Sequence, residues 1–471
     1  MLSALTQKHL KSTQDFYDHH CHECNWASRG YHRILAHYFQ HLIPAEASIL
    51  EIGCGNGELL SHLPNRDVTG IDLSAKQIAL AQQKVPHGAF AVCAGEQLCI
   101  DRTFDYIIIS DTINEAADVQ HLLMMARTCA HRETRLVLNF FSSLWRPIIA
   151  LANNVGLRVQ RPATSWFTVD DVRNLMRLSQ WEIVKIEDRI LCPIQIPWIT
   201  HLLNAYVAHP LSFLNLSHFC VARPGGMAPK VNHPSVSIIV PARNEAGNIE
   251  AVITRTPEMG SFTEFIFVEG HSSDETWAEI LRVQAKYPQK LIRAIQQTGK
   301  GKGNAVREGF AIATGDMFMI LDTDLTMPPE ELPKYFRILQ GGRADFANGV
   351  RLVYPMEDEA MRFLNMCANK FFSVTFSWLL AQPVKDTLCG TKVLWRDDYE
   401  KIAANRAYFG DFDPFGDFDL LFGATRLNLK ISDIPIRYQN RTYGSTNIQR
   451  FRHGLILFRM VFHALRKLKM I

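Results

Sequence analysis

The chain has 471 residues, 47% of them hydrophobic and 21% charged, with a formal net charge of +3. That length admits two domains of ordinary size, the apolar content fills their cores, and disorder of the chain as a whole is excluded. So small an excess of positive charge gives no footing for nucleic acid, although residues 434–471 hold no acid and gather Arg450, Arg452, Arg459, Arg466, Lys467 and Lys469 into a cationic tail.

Ten cysteines are scattered without a repeating spacing, and Cys93, Cys192 and Cys220 fall in apolar strand-like runs, which predicts reduced, buried thiols. His19, His20, Cys21, His22, Glu23 and Cys24 crowd metal-ligating types together, but no second ligand pair follows at a recognisable spacing, so no zinc site is expected. The first residues lack a basic region followed by a long apolar stretch, and no run of about 18 apolar residues occurs, so neither a signal peptide nor a membrane-crossing helix is expected. The expected location is cytoplasmic.

Residues 1–33 read as a helical lead-in, with His19, His20 and Tyr31 either forming a lid or only covering a sheet. Residues 48–52 are a short buried strand, followed at once by Gly53, Cys54, Gly55, Asn56 and Gly57 and then a helix. Glycines there let the backbone turn sharply and let a ligand approach the main chain. The next strand ends on Asp72, at the tip where dinucleotide folds hold a ribose, and Glu51 stands just before the glycines. Strands are predicted at 90–94, 104–110, 135–141, 181–191 and 218–222, and helices at 75–84, 117–128, 144–157 and 169–178. The alternation is that of a doubly wound α/β domain. The glycine spacing is not that of a dinucleotide-binding dehydrogenase.

Glu51, the three glycines, Asp72, and the strand Phe104-Asp105-Tyr106-Ile107-Ile108-Ile109-Ser110 closed by Asp111 together resemble the class I S-adenosylmethionine-dependent methyltransferases over residues 34–224. The resemblance implies that Gly53, Gly55 and Gly57 meet the amino-acid part of the cofactor and that Asp72 meets its ribose. It implies that Glu96 and Gln97 flank the adenine, although Gly95 stands where the family often has Asp. Asp111, and with it Asn114, would face the methyl group; a helix cap is the other reading of Asp111. The methyl acceptor is not named by the sequence. Residues 190–222 carry no formal charge and are broken by Pro193, Pro197 and Pro210, a stretch fit to rest on a membrane or to be covered by the other domain.

Residues 225–234 are a Pro- and Gly-bearing linker, and a second α/β domain, 235–446, begins at once. Its first strand ends in Pro241 and Ala242 and leads to Arg243, Asn244 and Glu245. Its second ends in Glu269 and Gly270, and its third is followed by Gly299, Lys300, Gly301 and Lys302 at a helix N-terminus suited to a diphosphate. Residues 317–321 are an apolar strand that stops on Asp322, Thr323 and Asp324. Two carboxylates at that mouth suit a hard divalent cation, which takes one or two carboxylates plus substrate phosphates; helix electrostatics alone is the bland alternative. Acids beside lysines at adjoining strand tips describe a nucleoside-diphosphate site.

Residues 238–245, 268–276 and 321–324 resemble the family 2 glycosyltransferases of GT-A fold, and the stretches around Asn348 to Arg351, Asp386 to Lys392, Ile434 to Arg437 and Arg441 to Thr446 resemble the polyprenol-phosphate sugar transferases. The resemblance implies a nucleotide-sugar site built from Pro241, Ala242, Glu245, Glu269, Lys300, Lys302 and Asp322. It implies Mg2+ or Mn2+ on Asp322 and Asp324, phosphates met by Arg351, Arg437 and Arg441, and a base at Asp417 or Asp419 if the acceptor is a hydroxyl. The arginines read equally well as surface cations. Together the halves resemble bacterial bifunctional methyltransferase–glycosyltransferases; a non-catalytic cofactor-binding or scaffold N-terminal half is the alternative. Donor, lipid-phosphate or glycan acceptor, and S-adenosylmethionine are the implied ligands.

Residues 447–471 read as a basic amphipathic helix. Ile448, Phe451, Leu455, Phe458, Phe462 and Leu465 form an apolar face edged by Arg452, Arg459 and Arg466. The expectation is peripheral contact with an anionic membrane at the inner face of the cytoplasmic membrane, against the alternative of a helix docked on its own core.

Overall fold

The computed structural model describes residues 3–20, 26–154, 164–351, 353, 363–406, 418–439, 441, 443 and 450–470, with backbone alone at 26–28, 363–368 and 450–454. Two compact units form, residues 1–227 with 469–471, and residues 228–468, each on one seven-stranded sheet.

The first unit runs α1 (Ala4–His19), α2 (Trp26–Leu42), β1 (Ile49–Ile52), α3 (Glu58–His62), β2 (Val68–Asp72), α4 (Ala75–Lys84), β3 (Ala89–Val92), β4 (Phe104–Ser110), α5 (Val119–Thr128), β5 (Ala130–Phe141), α6 (Arg146–Asn154), α7 (Val169–Leu178), β6 (Trp181–Arg189), α8 (Ile199–Leu202) and β7 (Ser217–Pro224). The sheet order is β3-β2-β1-β4-β5-β7-β6, with β7 antiparallel to both neighbours. β1 and β4 are apolar runs because helices cover both of their faces. Winding reverses between β1 and β4, which opens a crevice at their carboxyl ends. Helix α2 runs through residue 34, and its Leu35, Phe39 and Leu42 are buried in the core with Ile49 and Phe219. Cys220 is buried as expected, whereas Cys93 and Cys192 are half-buried, and all three are free thiols.

The second unit runs β8 (Val236–Ala242), α9 (Ile249–Arg255), β9 (Thr263–Glu269), α10 (Thr276–Lys286), β10 (Leu291–Gln296), α11 (Lys302–Ile312), β11 (Met317–Ile320), α12 (Leu332–Gln340), β12 (Phe346–Val350), α13 (Phe363–Leu380), β13 (Lys392–Trp395), α14 (Arg396–Ala404), α15 (Phe418–Arg426), β14 (Ile431–Pro435) and α16 (Arg450–Ala464). The order is β10-β9-β8-β11-β13-β12-β14, with β13 antiparallel to β11 and β12. Here the winding reverses between β8 and β11, so Glu245 and the Asp322–Asp324 turn follow the two strands that flank the switch.

The C-terminal helix is apolar on two faces. It buries Leu457, Met460, Ala464 and Leu468, a face offset from the one expected to meet lipid, in a core shared with Phe372 and Phe376 of α13. Of the face expected to meet lipid, Leu455 (65%), Phe458 (53%) and Phe462 (60%) are exposed, while Leu465 packs partly on that core. Both faces are apolar, so spacing alone does not say which one packs. Ile448 and the Phe451 and Arg452 side chains lie outside the described residues. Among the described residues, no helix is long and apolar enough to cross a membrane.

Candidate active sites

In the first unit the crevice is lined by the turn after β1. Gly53 and Gly57 have positive φ (76° and 72°), and a Cβ on Gly53 would strike the Thr112 side chain. Gly55 also has positive φ, a Cβ there would meet open space, and its amide is turned to the neighbouring strand tip. That amide donates to Asp72 Oδ2 at 2.9 Å while Ser74 N donates to Asp72 Oδ1 at 2.9 Å, which ties the tips of β1 and β2 together. Glu51 is buried, and its Oε2 has no hydrogen-bond partner. Burial, and then the charge of Asp72, push the Glu51 carboxyl well above the usual range. An orphaned acid beside an open glycine cradle fits a ligand that brings a cation or donors, as the amino-acid part of S-adenosylmethionine does.

The other expected residues fall into different roles. Glu96 spends Oε1 on the amides of Ala117 (2.9 Å) and Asp118 (3.3 Å), holding the turn before α5, while Gln97 is exposed. Gly95 is required by packing, since a Cβ would collide with Leu122 and Ile52. Asp111 has φ 56°, accepts from Asn139 Nδ2 at 2.5 Å and from the Tyr31 hydroxyl at 3.0 Å, and is buried. It caps no helix with its side chain. Asn114 is held by the backbone, donating to Ser165 O at 2.8 Å.

The lead-in helices close over this edge. Tyr17 donates to Glu115 Oε2 at 2.5 Å, and Ser74 Oγ donates to Asp18 Oδ1 at 2.5 Å, so α1 spans from the tip of β4 to the tip of β2. The rings of His19 and His20 turn back onto their own helix, on Asp15 O and Phe16 O. Sequence reasoning missed Asn139, whose signal was a lone amide in the apolar run of β5.

In the second unit five charged side chains pair at the strand tips. Lys302 Nζ lies 2.6 Å from Asp322 Oδ1, and Arg441 lies 2.6 Å from Asp324 Oδ2 through Nη2 and 3.1 Å from Glu245 Oε1 through Nη1. Thr326 Oγ1 donates to Asp324 Oδ1 at 2.8 Å, and Asn248 Nδ2 donates to Glu245 Oε2 at 2.8 Å. Burial raises the Glu245 carboxyl against the opposing charge of Arg441. Gly390 packs so closely on Asp322 and Lys302 that a Cβ would overlap both. Thr323 Oγ1 donates to Pro241 O at 2.7 Å, and Gly270 N donates to Ala242 O at 2.8 Å, joining the tips of β8, β9 and the Asp turn. Glu269 is buried and accepts from Ser272 N at 2.5 Å; Lys300 is exposed. The oxygen-only acids Asp322 and Asp324 suit a hard divalent cation, and side-chain cations already stand at that negative potential. Among the described residues no three His, Cys, Asp or Glu side chains gather as a metal cluster.

Two further expected residues, Arg351 and Asp419, have ion partners of their own. Arg351 is held by Asp386, with Nε to Oδ2 at 2.7 Å and Nη2 to Oδ1 at 2.9 Å, and its guanidinium lies over the Tyr438 ring. Burial pushes Asp386 up, but the Arg351 charge and hydrogen bonds outweigh it and hold the carboxyl below the usual range. Asp419 accepts from Arg406 Nε at 3.1 Å and has Arg307 at 3.8 Å, so it is not an open base. Asp417 lies outside the described residues, and Arg437 is exposed.

The comparisons match both halves. Residues 19–186 match the methyltransferase domain family model and residues 237–402 match that of glycosyl transferase family 2. A dolichol-phosphate mannosyltransferase of Pyrococcus furiosus is 29% identical over 242 residues, 50% of this chain and 64% of that protein. An undecaprenyl-phosphate 4-deoxy-4-formamido-L-arabinose transferase of Pectobacterium carotovorum is 36% identical over 105 residues, 21% of this chain and 32% of that protein. The chain thus spans less than two thirds of the length of either relative. The structure of magnesium protoporphyrin IX methyltransferase from Synechocystis, with bound SAH, is 16% identical, covers 46% of this chain and 100% of that one, and superposes with a TM-score of 0.33.

Proposed function

We propose that this chain, which carries a methyltransferase domain followed by a family 2 glycosyltransferase domain, is a bifunctional enzyme: it transfers a sugar from a nucleotide donor to a polyprenyl phosphate and a methyl group from S-adenosylmethionine to a second acceptor. The observation that carries the sugar-transfer reading is the meeting of Asp322, Asp324, Lys302 and Arg441 at the switch of the second sheet.

Asp322 and Asp324 would hold Mg2+ or Mn2+, which when bound offsets the charge of a leaving diphosphate. Lys302 and Arg441 then have a second partner in the donor phosphates, and Glu245 and Glu269 line the nucleoside side. A lipid phosphate oxygen attacks the anomeric carbon as the bond to the diphosphate breaks, which inverts the centre. A phosphate acceptor is already ionised and needs no base. The pairing of Asp419 with two arginines favours it over a glycan hydroxyl.

For the first unit, Glu51, Gly53, Gly55, Gly57 and Asp72 bind the cofactor, with Gln97 on the adenine side, and Asp111, oriented by Tyr31 and Asn139, faces the acceptor. S-adenosylmethionine supplies an electrophilic methyl on a sulfonium. The second reading, a cofactor-binding module without turnover, is favoured by one fact: Asp111 Oδ1 is already shared by two donors. Calorimetry with S-adenosylmethionine, followed by a search for methylated product, separates the two.

Peripheral attachment to the inner face of the cytoplasmic membrane is part of the proposal. Phe371, Val374 and Trp378 of α13 and Leu455, Phe458 and Phe462 of α16 are exposed, the helices meet through Phe371 and Phe458 (5.9 Å between centroids), and Lys370, Arg459 and Arg466 are exposed beside them. Incubation with a panel of nucleotide sugars and a polyprenyl phosphate tests the reading as a whole.

A further inference from the structure

The segment between β6 and β7 leaves the sheet at the same edge as the carboxyl ends of β1, β4 and β5, because β7 returns antiparallel to both of its neighbours. Its base is built into the candidate methyl-transfer site. Ser142 N donates to Leu216 O at 2.7 Å, and Ser217 Oγ lies 3.3 Å from the Tyr31 hydroxyl that also donates to Asp111. Its tip is held rigidly: Thr200 Oγ1 donates to Ile194 O at 2.6 Å and accepts from Ile196 N at 2.8 Å. At that tip Trp198 has φ 63° and is 90% exposed. A bulky residue in the left-handed region is strained, and the surrounding hydrogen bonds hold it so that an indole is presented to solvent. Phe213 is 62% exposed, Leu202 and Tyr206 are exposed too, and none of residues 190–222 is an Asp, Glu, Lys or Arg. The surface continues onto α6: Trp145 Nε1 donates to Leu214 O at 2.7 Å, and Ile148 and Leu151 beyond it are exposed.

We infer that residues 190–216 and the outer face of α6 seat the first unit on the uncharged acyl boundary of a lipid bilayer, so that the methyl acceptor is an amphiphile delivered from the lipid to the Asp111 edge. Protein partners are met by an apolar centre with a polar and charged rim and by shape complementarity. Residues 190–216 themselves carry no charge, the exposed Arg33, which reaches Gln195, and Arg146 at the start of α6 stand at the margin, and the apolar side chains protrude; a fluid bilayer accepts this, with Trp, Tyr and the arginines at the headgroup level. In the transfer, an acceptor heteroatom forms a bond to the methyl carbon as the methyl–sulfur bond breaks, the electron pair stays on sulfur, and the acceptor proton passes to water. The substrate class rests on the methyl-transfer reading; failure of the wild type to bind S-adenosylmethionine would remove that reading and leave the bilayer surface to its own test.

That test is flotation of the full-length protein with phosphatidylcholine vesicles at low and high salt. Association that persists at high salt is expected, falling by about tenfold or more in Trp198→Ser/Phe213→Ser and unchanged in Phe458→Ser/Phe462→Ser. Both changed positions are exposed, and a thermal melt checks that the variant stays folded. No association of the wild type with these neutral vesicles, or equal association of wild type and Trp198→Ser/Phe213→Ser, overturns the proposal.

Discussion

Arg441 bridges Glu245 and Asp324, at 3.1 and 2.6 Å, and so neutralises one of the two carboxylates proposed to hold a metal. On that proposal a divalent cation would compete with this guanidinium for Asp324 Oδ2. Arg441→Ala is therefore expected to tighten Mn2+ binding about tenfold, read by electron paramagnetic resonance, while slowing sugar transfer through loss of a phosphate partner. Unchanged metal affinity would show that the pairing does not govern the site.

The Glu51 carboxyl is raised well above its usual range by burial and by Asp72. A raised acid binds its proton more tightly folded than unfolded, so its contribution to stability is fully present below the unfolded value and is lost as pH rises through the folded one. A cationic ligand favours the ionised form, so S-adenosylmethionine affinity is expected to rise with pH across that window, with proton release. Calorimetry in buffers of different ionisation enthalpy measures the release, and Glu51→Gln should abolish both effects.

Gly53→Ala adds a Cβ at φ 76° and against Thr112. A loss of about 1–3 kcal/mol in urea unfolding of the first unit is expected, together with loss of cofactor binding. A stable variant with native affinity would contradict the close approach assigned to this turn.

The fold was legible because both halves keep a regular alternation of apolar strand and helix. The convergence of Asp322, Lys302 and Glu245 was legible too, because doubly wound sheets carry their sites at strand tips. Arg351 was not. Its motif suits a phosphate clamp, yet the residue that claims it, Asp386, is distant in sequence, and only the fold brings the two within 2.7 Å. Which face of the C-terminal helix packs on the core was not legible from spacing, because Leu457 and Met460 are as apolar as Phe458 and Phe462. Gly95 looked like a departure in the cofactor site and is explained by Leu122, a contact that no local pattern reveals.

Asp386→Ala leaves Arg351 buried without its partner. A loss of about 3–5 kcal/mol is expected from chemical denaturation, whereas a residue serving only a substrate phosphate would leave stability unchanged.

Deleting the C-terminal helix is expected to unfold the second unit, since Leu457, Met460 and Leu468 belong to its core. Phe458→Ser/Phe462→Ser changes exposed positions alone. It should weaken flotation with anionic vesicles at low salt while the melting temperature holds. Equal flotation would remove α16 from the membrane surface.

The most direct measurement is consumption of each nucleotide sugar in a panel, with Mg2+ and a polyprenyl phosphate, by wild type and by Asp324→Ala. One donor consumed with sugar moved onto the lipid phosphate, and a fall of about a hundredfold in the variant, is the expected result. Equal turnover by Asp324→Ala, or no donor consumed by the wild type, would contradict a sugar transferase working through this carboxylate.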